Sequence, residues 1–246
     1  MFVKTFLFSF PGTKAKCAFQ YLDLENPQDL RGNISLKVAN GREKAIRARQ
    51  ALLAACPGME TWSECEQVHG TNLLVDAPPT DLAGGALIEA DGMTTETPRQ
   101  GLLIKTADCQ PVMIAVEDGS AVMALHVGWR GDRANFIGKA VGIFCDRYGT
   151  SPEKMWAARG PSLGPTASEF VNFDEEWGEE FARFYDPARR TVNLWRITSS
   201  QLRDAGLRPD HIYELDICAY LNDRAFFSWR RNRTPGRMGS LVWIDS

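Results

Sequence analysis

The chain has 246 residues, of which 44% are hydrophobic and 24% are charged, and its formal net charge is −3. This composition is typical of a globular protein that buries a large core, and the small charge gives no general reason to expect nucleic acid or an anionic membrane as a partner. No apolar run reaches the roughly 20 residues of a membrane-spanning helix. Because no repeat, linker or change of composition divides the sequence, we expect a single domain over residues 1–246.

The N-terminal segment MFVKTFLFSFPG has an apolar core of only about six residues before Pro11-Gly12, whereas a signal peptide needs roughly 7–15. The pattern therefore predicts a strand over residues 2–10 and a cytoplasmic protein. The six cysteines form no C-x-x-C pair. We expect them to be reduced thiols rather than a disulfide framework.

The N-terminal part of the chain predicts short strands around one helix, since turn residues bound each strand and strong helix formers fill the helix. The expected elements are an irregular segment over 13–32, a strand at Asn33–Ala39, a helix at Glu43–Ala55 that ends before Pro57-Gly58, strands at 62–70 and 73–75, a loop at 78–85 and a turn at Glu89–Gly92. The helix places Arg49 near its middle.

Residues 101–131, GLLIKTADCQPVMIAVEDGSAVMALHVGWRG, contain Val, Ile and Met at the density of strands. The pattern predicts strands at Leu102–Thr106, Val112–Val116 and Ala121–Val127, with a turn at Glu117–Gly119. Asp108, Cys109 and His126 lie within this hydrophobic stretch, where a purely structural strand pair would not need them. We therefore expect the chemistry of the protein here.

The C-terminal part predicts further helices and strands. The expected elements are an amphipathic helix at Asn135–Tyr148 capped by Gly149, a strand at Met155–Arg159, a glycine–proline loop at Gly160–Pro165, helices at Glu175–Tyr185 and Ile197–Ala205, and a strand at Ile212–Leu215.

Three residues have the chemistry of a metal site. His69 and His126 stand beside glycines at expected strand ends, and with Cys109 they offer two imidazoles and a thiolate, which are ligands that zinc prefers. Three protein ligands leave a fourth position open, as in catalytic zinc sites. Because the three are far apart in sequence, other interpretations stay open: hydrogen-bonded core histidines, a small buried cysteine, or a Cys–His nucleophile pair with Cys109 as the thiolate.

Asp108 and several arginines complete the candidate residues. Asp108 is either a solvated acid at a strand end or a group that orients an imidazole or accepts a proton. The C-terminal segment FFSWRRNRTPGR contains four arginines: Arg230, Arg231, Arg233 and Arg237. A charge run is usually a solvated face, and a short basic segment can also touch nucleic acid, yet aromatic residues and a Pro-Gly bend suit phosphate binding by bidentate donors. Arg49 could reach the same site.

Six motifs together resemble the YfiH/laccase-domain family, also called polyphenol oxidase or peptidoglycan editing factor proteins. They are QVHG at Gln67–Gly70, EADG at Glu89–Gly92, TADC at Thr106–Cys109, HVGWRG at His126–Gly131, GPSLGP at Gly160–Pro165 and FFSWRR…PGR at Phe226–Arg237. They occur in family order and cover nearly the whole chain. The resemblance implies an α/β (α+β) fold, a single compact domain with mixed β-sheets and flanking helices.

The resemblance also implies which residues act. His69, Cys109 and His126 match the metal-binding residues of the family, with zinc favoured over copper, and Arg49 aligns with an arginine near the substrate pocket. The implied activity is phosphorolysis of adenosine, inosine, guanosine or methylthioadenosine and deamination of adenosine, with a purine nucleoside and phosphate as partners. In this reaction we expect Asp108 to move a proton. We expect phosphate at Arg49, Arg230, Arg231 and Arg237.

Two segments depart from the family pattern. Tyr21–Arg31 replaces an Arg-x-Gly-Gly-Val-Ser segment, and Thr166-Ala167-Ser168 replaces cysteines and a tyrosine before Glu169. Both segments could line the substrate pocket, so the preferred nucleoside is left open.

Three other functions remain as alternatives. Copper-dependent phenol oxidation fits the older family name, although a multicopper oxidase needs more histidines than the three present. A Cys109-dependent hydrolase acting on a peptidoglycan precursor fits the editing-factor name. A metal- or nucleotide-binding protein without catalysis would fit the departures before Glu169.

Overall fold

Two β-sheets packed face to face form the centre of the protein. The computed structural model describes residues 3–22, 32–37, 41–233 and 236–246. In these residues the first sheet contains, in spatial order, β1 (Lys4–Ser9), β2 (Ala15–Tyr21), β13 (Met238–Ile244), β6 (Gln100–Thr106) and β3 (Thr61–Glu64). Strand β13 pairs antiparallel with β2 and β6, whereas β3 pairs parallel with β6, so this sheet is mixed.

The second sheet is also mixed. Its described strands are, in spatial order, β12 (Ile212–Glu214), β9 (Met155–Arg159), β7 (Gln110–Val116), β8 (Val122–Val127), β5 (Gly92–Thr95) and β4 (Leu73–Leu74). Strands β7 and β8 form an antiparallel hairpin, and the pairs at both edges are parallel. A separate ribbon pairs β10 (Tyr185–Asp186) with β11 (Thr191–Val192).

Helices cover the outer faces of the two sheets, giving the expected α/β fold with mixed sheets and flanking helices. The α-helices are α1 (Arg42–Ala54), α2 (Trp129–Arg133), α3 (Phe136–Tyr148), α4 (Phe173–Glu176) and α5 (Leu194–Asp204), and short 3-10 helices lie at Pro152–Lys154, Glu179–Phe184 and Pro209–His211. Helix α1 packs on the first sheet, and α3 and α5 pack on the second. Among the described helices, none has the length and apolar character needed to cross a membrane.

The core between the sheets is built from the alternating residues of the central strands. Phe19, Ile104 and Val242 of the first sheet meet Met113 and Ala124 of the second. All five are at most 1% exposed, and burying an aliphatic or aromatic side chain of this size contributes roughly 1.5–3 kcal/mol. The strands that carry the site are therefore held on both faces.

Local sequence signals explain the helices that the sequence predicts well. Helix α3 begins after Asn135, whose side chain accepts a hydrogen bond from the N–H of Gly138, and ends at Gly149 in the left-handed conformation at φ 61°. Both are preferred capping residues. The predictions for α1, α3, α5, β9 and the β6–β8 strands are confirmed within a few residues at each end.

The prediction of an irregular segment over 13–32 is wrong where it covers β2. Ala15–Tyr21 is buried on both faces because it lies inside the first sheet, so the strand lacks the polar–apolar alternation that reveals a half-buried strand. The predicted strand at Asn33–Ala39 is also wrong over 33–37, where the Asn33 side chain accepts from the N–H of Ser35 in a turn. Residues 23–31 and 38–40 lie outside the described residues.

Two further predictions were too long. The strand at 62–70 ends at Glu64. The helix at Glu175–Tyr185 is instead α4 followed by a 3-10 helix, because Gly178 interrupts the helix at φ 109°. No turn forms where one was predicted at Glu89–Gly92: Glu89 bridges Glu66, and Gly92 is the first residue of β5.

Candidate metal centre

The turn between β6 and β7 and the end of β8 bring two of the predicted ligands together. Cys109 lies in this turn, directly before β7, and His126 lies opposite Pro111 in the antiparallel β7–β8 pair. His69 reaches the same point from the loop after β3, with its backbone in the left-handed region at φ 61°. Strand pairing therefore brings Cys109 and His126 together, and the loop after β3 adds His69.

The three side chains form a compact donor set. One nitrogen of each of His69 and His126 and the Sγ of Cys109 all lie within 4.8 Å of one another. Gly128 permits this approach, because a Cβ there would lie 3.2 Å from Sγ of Cys109 and 3.3 Å from Cδ2 of His69. His126 is buried, Cys109 is half-buried and His69 is exposed, so the set faces outward on one side.

A buried carboxylate that the sequence reasoning did not single out holds both histidines. Oδ1 of Asp91 lies 2.7 Å from Nδ1 of His126 and accepts the N–H of His69 at 3.0 Å, and Oδ2 accepts the N–H groups of Val68 and Gly70. The sequence signal was its place in the motif EADG, which assigned no role to it. The pairing of β3 with β6 ends at Glu64 because Glu66 bridges Glu89 instead, and the Gln67 side chain takes the backbone groups of Lys105.

The surroundings of Cys109 and His126 favour a charged pair. Burial alone would raise the pKa of the Cys109 thiol, but the charge of His126 and hydrogen bonds from His126 and His69 outweigh it and lower the pKa to about 6. Burial alone would lower the pKa of His126, but Cys109 and the carboxylate of Asp91 raise it to about 9. The pKa of Asp91 is lowered despite its burial, since the His126 ring and the N–H groups of the loop stabilise its charged form.

This donor set fits a metal ion with one open position. Two imidazoles and a readily ionised thiol are the ligands of catalytic zinc sites, and the other ring nitrogen of His126 is held by a carboxylate, as is usual for metal-ligating histidines. A multicopper cluster fits less well. The chain has three histidines, and His211 is buried elsewhere, stacked on Trp156 with its Nδ1 3.1 Å from the carbonyl oxygen of Met155.

The donor set opens into a cavity of about 1490 Å³. Among the described residues, eight lysines and arginines and five acidic residues line it, although the chain as a whole is slightly acidic. These cations are Lys37, Arg42, Arg49, Lys105, Arg130, Arg230, Arg233 and Arg237. The cavity is large enough for a nucleoside and an anion together, since ligand sites usually measure roughly 300–1,000 Å³.

Asp108 lies beside the donor set but does not orient an imidazole. Its Oδ2 accepts from Oγ of Ser228 at 3.0 Å and from the N–H of Arg230 at 2.7 Å, while its Oδ1 is buried with no hydrogen-bond partner in the described chain. Burial raises the pKa of Asp108, and these two hydrogen bonds offset that rise only in part. Its backbone is in the left-handed region at φ 97°, a strained conformation for aspartate that is common at functional sites.

The structure separates the arginines that the sequence grouped together. Arg230 and Arg237 line the cavity, and the Arg230 guanidinium donates to the carbonyl oxygen of Glu169. Arg231 does not reach the cavity, since its guanidinium donates to the carbonyl oxygens of Ala219, Tyr220 and Phe226 and so braces the C-terminal segment. The phosphate-binding role expected of Arg231 stays a prediction, and these contacts favour a structural role for it.

Arg49 borders the cavity from within the protein. Its side chain is 1% exposed, and it pairs with both carboxylate oxygens of Glu64 at 2.5 and 2.9 Å. Lysine and arginine side chains are almost never so deeply buried unless they are paired. The sequence placed Arg49 correctly on a helix but gave no sign of this partner.

Comparisons with other proteins agree on one family. A family model described as multi-copper polyphenol oxidoreductase laccase matches residues 26–245. A purine nucleoside phosphorylase from Xylella fastidiosa (strain Temecula1 / ATCC 700964) is 32% identical over 235 residues, which cover 92% of this chain and 86% of that protein. The purine nucleoside phosphorylase YfiH of Escherichia coli (strain K12) is 32% identical over 224 residues, which cover 86% of each protein.

Solved structures share the fold. A hypothetical protein YfiH from Bacillus licheniformis superposes with a TM-score of 0.82 at 22% identity, covering 94% of this chain and 93% of that one. YlmD from Geobacillus stearothermophilus superposes with a TM-score of 0.80 at 24% identity, covering 96% and 93%. At these identities the likeness supports the fold, and it confirms the expected fold class.

Proposed function

The chain belongs to the laccase-like YfiH family, and we propose that it is a zinc-dependent purine nucleoside enzyme. Its proposed reactions are phosphorolysis of adenosine, inosine, guanosine or methylthioadenosine and deamination of adenosine. The observation that carries the proposal is the set of His69, Cys109 and His126 in the wall of a cavity rich in cations. The names of the relatives support the nucleoside class.

The chain's own residues have distinct parts in this proposal. His69, Cys109 and His126 would hold zinc, and Asp91 fixes the His126 ring. Zinc at this position would supply Lewis acidity for attack on the purine ring in deamination. The buried Oδ1 of Asp108 faces no other partner among the described residues, so it is the group proposed to move a proton to or from the substrate.

Phosphorolysis asks for a different set of residues. Phosphate must be held near the anomeric carbon of the ribose while negative charge develops on the departing purine, and preorganised donors stabilise such charge. Arg230 and Arg237 line the cavity beside Asp108 and are the proposed contacts for these anionic groups. Burial lowers the pKa of Arg237, and the negative charges of Cys109 and Asp108 oppose that effect.

Metal analysis combined with turnover tests the proposal. We expect about one zinc per purified chain, by the ligand count of a single site. We also expect adenosine products that change when phosphate is added, and loss of both zinc and turnover in Cys109→Ala. Cys145→Ala is the matched control, since Cys145 is a half-buried cysteine on α3 outside the cavity. A well-folded protein that binds no zinc and converts no purine nucleoside would overturn the proposal.

A thiol hydrolase is the second candidate, because Cys109, His126 and Asp91 also have the order of a nucleophile, a base and an orienting acid. The pKa of the Cys109 thiol is lowered, chiefly by the neighbouring His126, and this favours a reactive thiolate. This candidate predicts that the metal-free protein remains active and that alkylation of Cys109 stops it. Activity that disappears with the metal and returns with zinc would exclude it.

A further inference from the structure

Two cations share one buried carboxylate at the end of β3. Glu64 has a side chain that is 0% exposed; Arg49 binds both of its oxygens, and Nζ of Lys105 lies 2.6 Å from its Oε2. Burial by itself would raise the pKa of Glu64, but the hydrogen bonds and charges of Arg49 and Lys105 lower it. The three groups together therefore have one positive charge in excess.

The donors of Arg49 are largely taken by the protein. Its Nε donates to the carbonyl oxygen of Ile34 at 2.8 Å, its Nη1 donates to Glu64 and to the carbonyl oxygen of Leu82 at 3.0 Å, and its Nη2 donates to Glu64. A guanidinium has five N–H donors in a fixed plane, so little of this group is left for a ligand. To bind phosphate directly, Arg49 would have to give up a buried ion pair, which is strongly unfavourable.

Lys105 has the opposite arrangement. Its side chain is 17% exposed and lines the cavity. An ammonium has three N–H donors, and the contacts of Nζ are Oε2 of Glu64 and the carbonyl oxygen of Cys65 at 3.3 Å. Among the described residues these contacts use two of the three donors, and because Lys105 lines the cavity, the third is left for a ligand.

The backbone of Lys105 is tied to the loop that carries His69. The side chain of Gln67 accepts the N–H of Lys105 and donates to its carbonyl oxygen, each at 2.8 Å. Lys105 also precedes the β6–β7 turn that contains Cys109. The backbone of Lys105 is therefore held by the loop of His69 and its ammonium by Glu64 at the cavity wall, and such a fixed position is what a binding group requires.

We propose that Lys105 binds the anionic oxygens of phosphate in the cavity, and that Arg49 is a positioning residue that acts on Lys105 through Glu64. This assignment rests on the proposed phosphorolysis. In it Lys105, and not Arg49 as the sequence suggested, contacts the phosphate. Lysine acts on phosphate as a point charge, whereas arginine is suited to a fixed bidentate pair, which here is made with Glu64.

Steady-state kinetics with varied phosphate test the assignment in the zinc-loaded protein. In Lys105→Gln we expect the KM for phosphate to rise about tenfold and the KM for the nucleoside to change much less, since an interaction with one substrate is lost. Lys139→Gln, on the exposed side of α3, is the control. Arg49→Lys, which keeps a positive charge beside Glu64, should raise the phosphate KM less than Lys105→Gln. A larger effect in Arg49→Lys, or an unchanged phosphate KM in Lys105→Gln, would overturn the assignment.

Calorimetric titration with inorganic phosphate separates this assignment from the proposed function. Binding that is about tenfold weaker in Lys105→Gln than in wild type supports the assignment even if no nucleoside is converted, in which case only the proposed function fails. Equal binding by the two proteins refutes the assignment even if phosphorolysis is observed. Should Lys105→Gln not fold, Lys105→Arg keeps the charge beside Glu64, and its phosphate affinity should also fall because the donor is displaced.

Discussion

Asp91, which contacts the donor set, and Asp108, which precedes Cys109, are both buried, yet their surroundings differ. Asp91 accepts hydrogen bonds from the N–H groups of residues 68–70 and contacts the His126 ring, and its pKa is lowered. Asp108 accepts at one oxygen from the segment Ser228–Arg230, leaves the other without a partner in the described residues, and has a raised pKa.

This difference indicates that the two aspartates have different roles. A carboxylate that is saturated by donors is stable as an anion and is suited to holding metal ligands in place. A carboxyl group with an unpaired oxygen and a raised pKa can exchange a proton with a substrate. Burial alone does not decide the role of either group, because both are buried. The number of donors that face each carboxylate decides it.

The largest effect is expected from Asp108→Asn. The substitution keeps the size of the side chain and removes the exchangeable proton, so we expect kcat to fall by about 10²–10⁴-fold while the zinc content stays near that of wild type. Turnover assays and metal analysis on the same preparation measure both quantities. Asp118→Asn, in the exposed β7–β8 turn, is the control. Normal kcat in Asp108→Asn would show that another group moves the proton.

Asp91→Asn should give the reverse result. An amide keeps one accepting oxygen but turns an NH2 group either toward the N–H groups of Val68 and Gly70 or toward His69 and His126, so the support of the histidines is disturbed. We expect zinc affinity to fall by about 10–100-fold, as measured by competition with a chromogenic chelator. Turnover at saturating zinc should recover more fully than in Asp108→Asn. Unchanged zinc affinity would contradict the holding role of Asp91.

Glu64 is another buried carboxylate, outside the donor set, whose pKa is also lowered. Its replacement tests whether a buried, paired carboxylate anywhere near the cavity affects zinc affinity, or only one that contacts the histidines. In Glu64→Gln the buried charge of Arg49 and the charge of Lys105 lose their partner, and we expect a loss of about 3–5 kcal/mol in the free energy of unfolding at pH 7. Zinc affinity should change less than in Asp91→Asn. Denaturant titration measures the stability loss, and Glu60→Gln, whose pair with Arg99 is exposed, should lose less than about 1 kcal/mol.

The pH dependence of this loss has a defined sign. The pKa of Glu64 is lower in the folded protein than its ordinary value of 4.5, so its ionisation stabilises the folded state above that value and ceases to do so as the pH falls through the folded pKa. The difference between wild type and Glu64→Gln should therefore be complete at pH 7 and shrink below about pH 4.5. A difference that stays constant with pH would show that packing, and not charge, causes the loss.

The sequence predicted the three residues of the donor set better than the residues that hold them in place or line the cavity beside them. His69, Cys109 and His126 could be chosen because few other residue types bind zinc and because each stands beside a turn or strand end. Asp91 could not be chosen, since its role arises only when three backbone N–H groups converge on it in the folded loop. Lys105 was hidden inside an apolar strand, where its lone charge gave no pattern.

The same limit applies to the fold and to the arginines. Amphipathic α3 and the turn-bounded strands β7 and β8 were predicted because their signals are local. Strand β2 was missed because its burial on both faces depends on β13, which is far away in sequence. Neighbouring arginines in the C-terminal segment looked equivalent, but the direction of each side chain is set by where the segment packs.

The smallest effect should come from Ser228→Ala, which removes one of the two donors that hold Asp108. The Ser228 hydroxyl also accepts the N–H of Arg231 at 3.2 Å, so the turn after it loses a support. We expect about 0.5–1.5 kcal/mol of lost stability in denaturant titration, a change of a few fold in kcat, and unaltered zinc affinity. Ser120→Ala, in the exposed β7–β8 turn, is the control. If Ser228→Ala instead released zinc, the C-terminal segment would be supporting the donor set itself, and the division between the two aspartates would not hold.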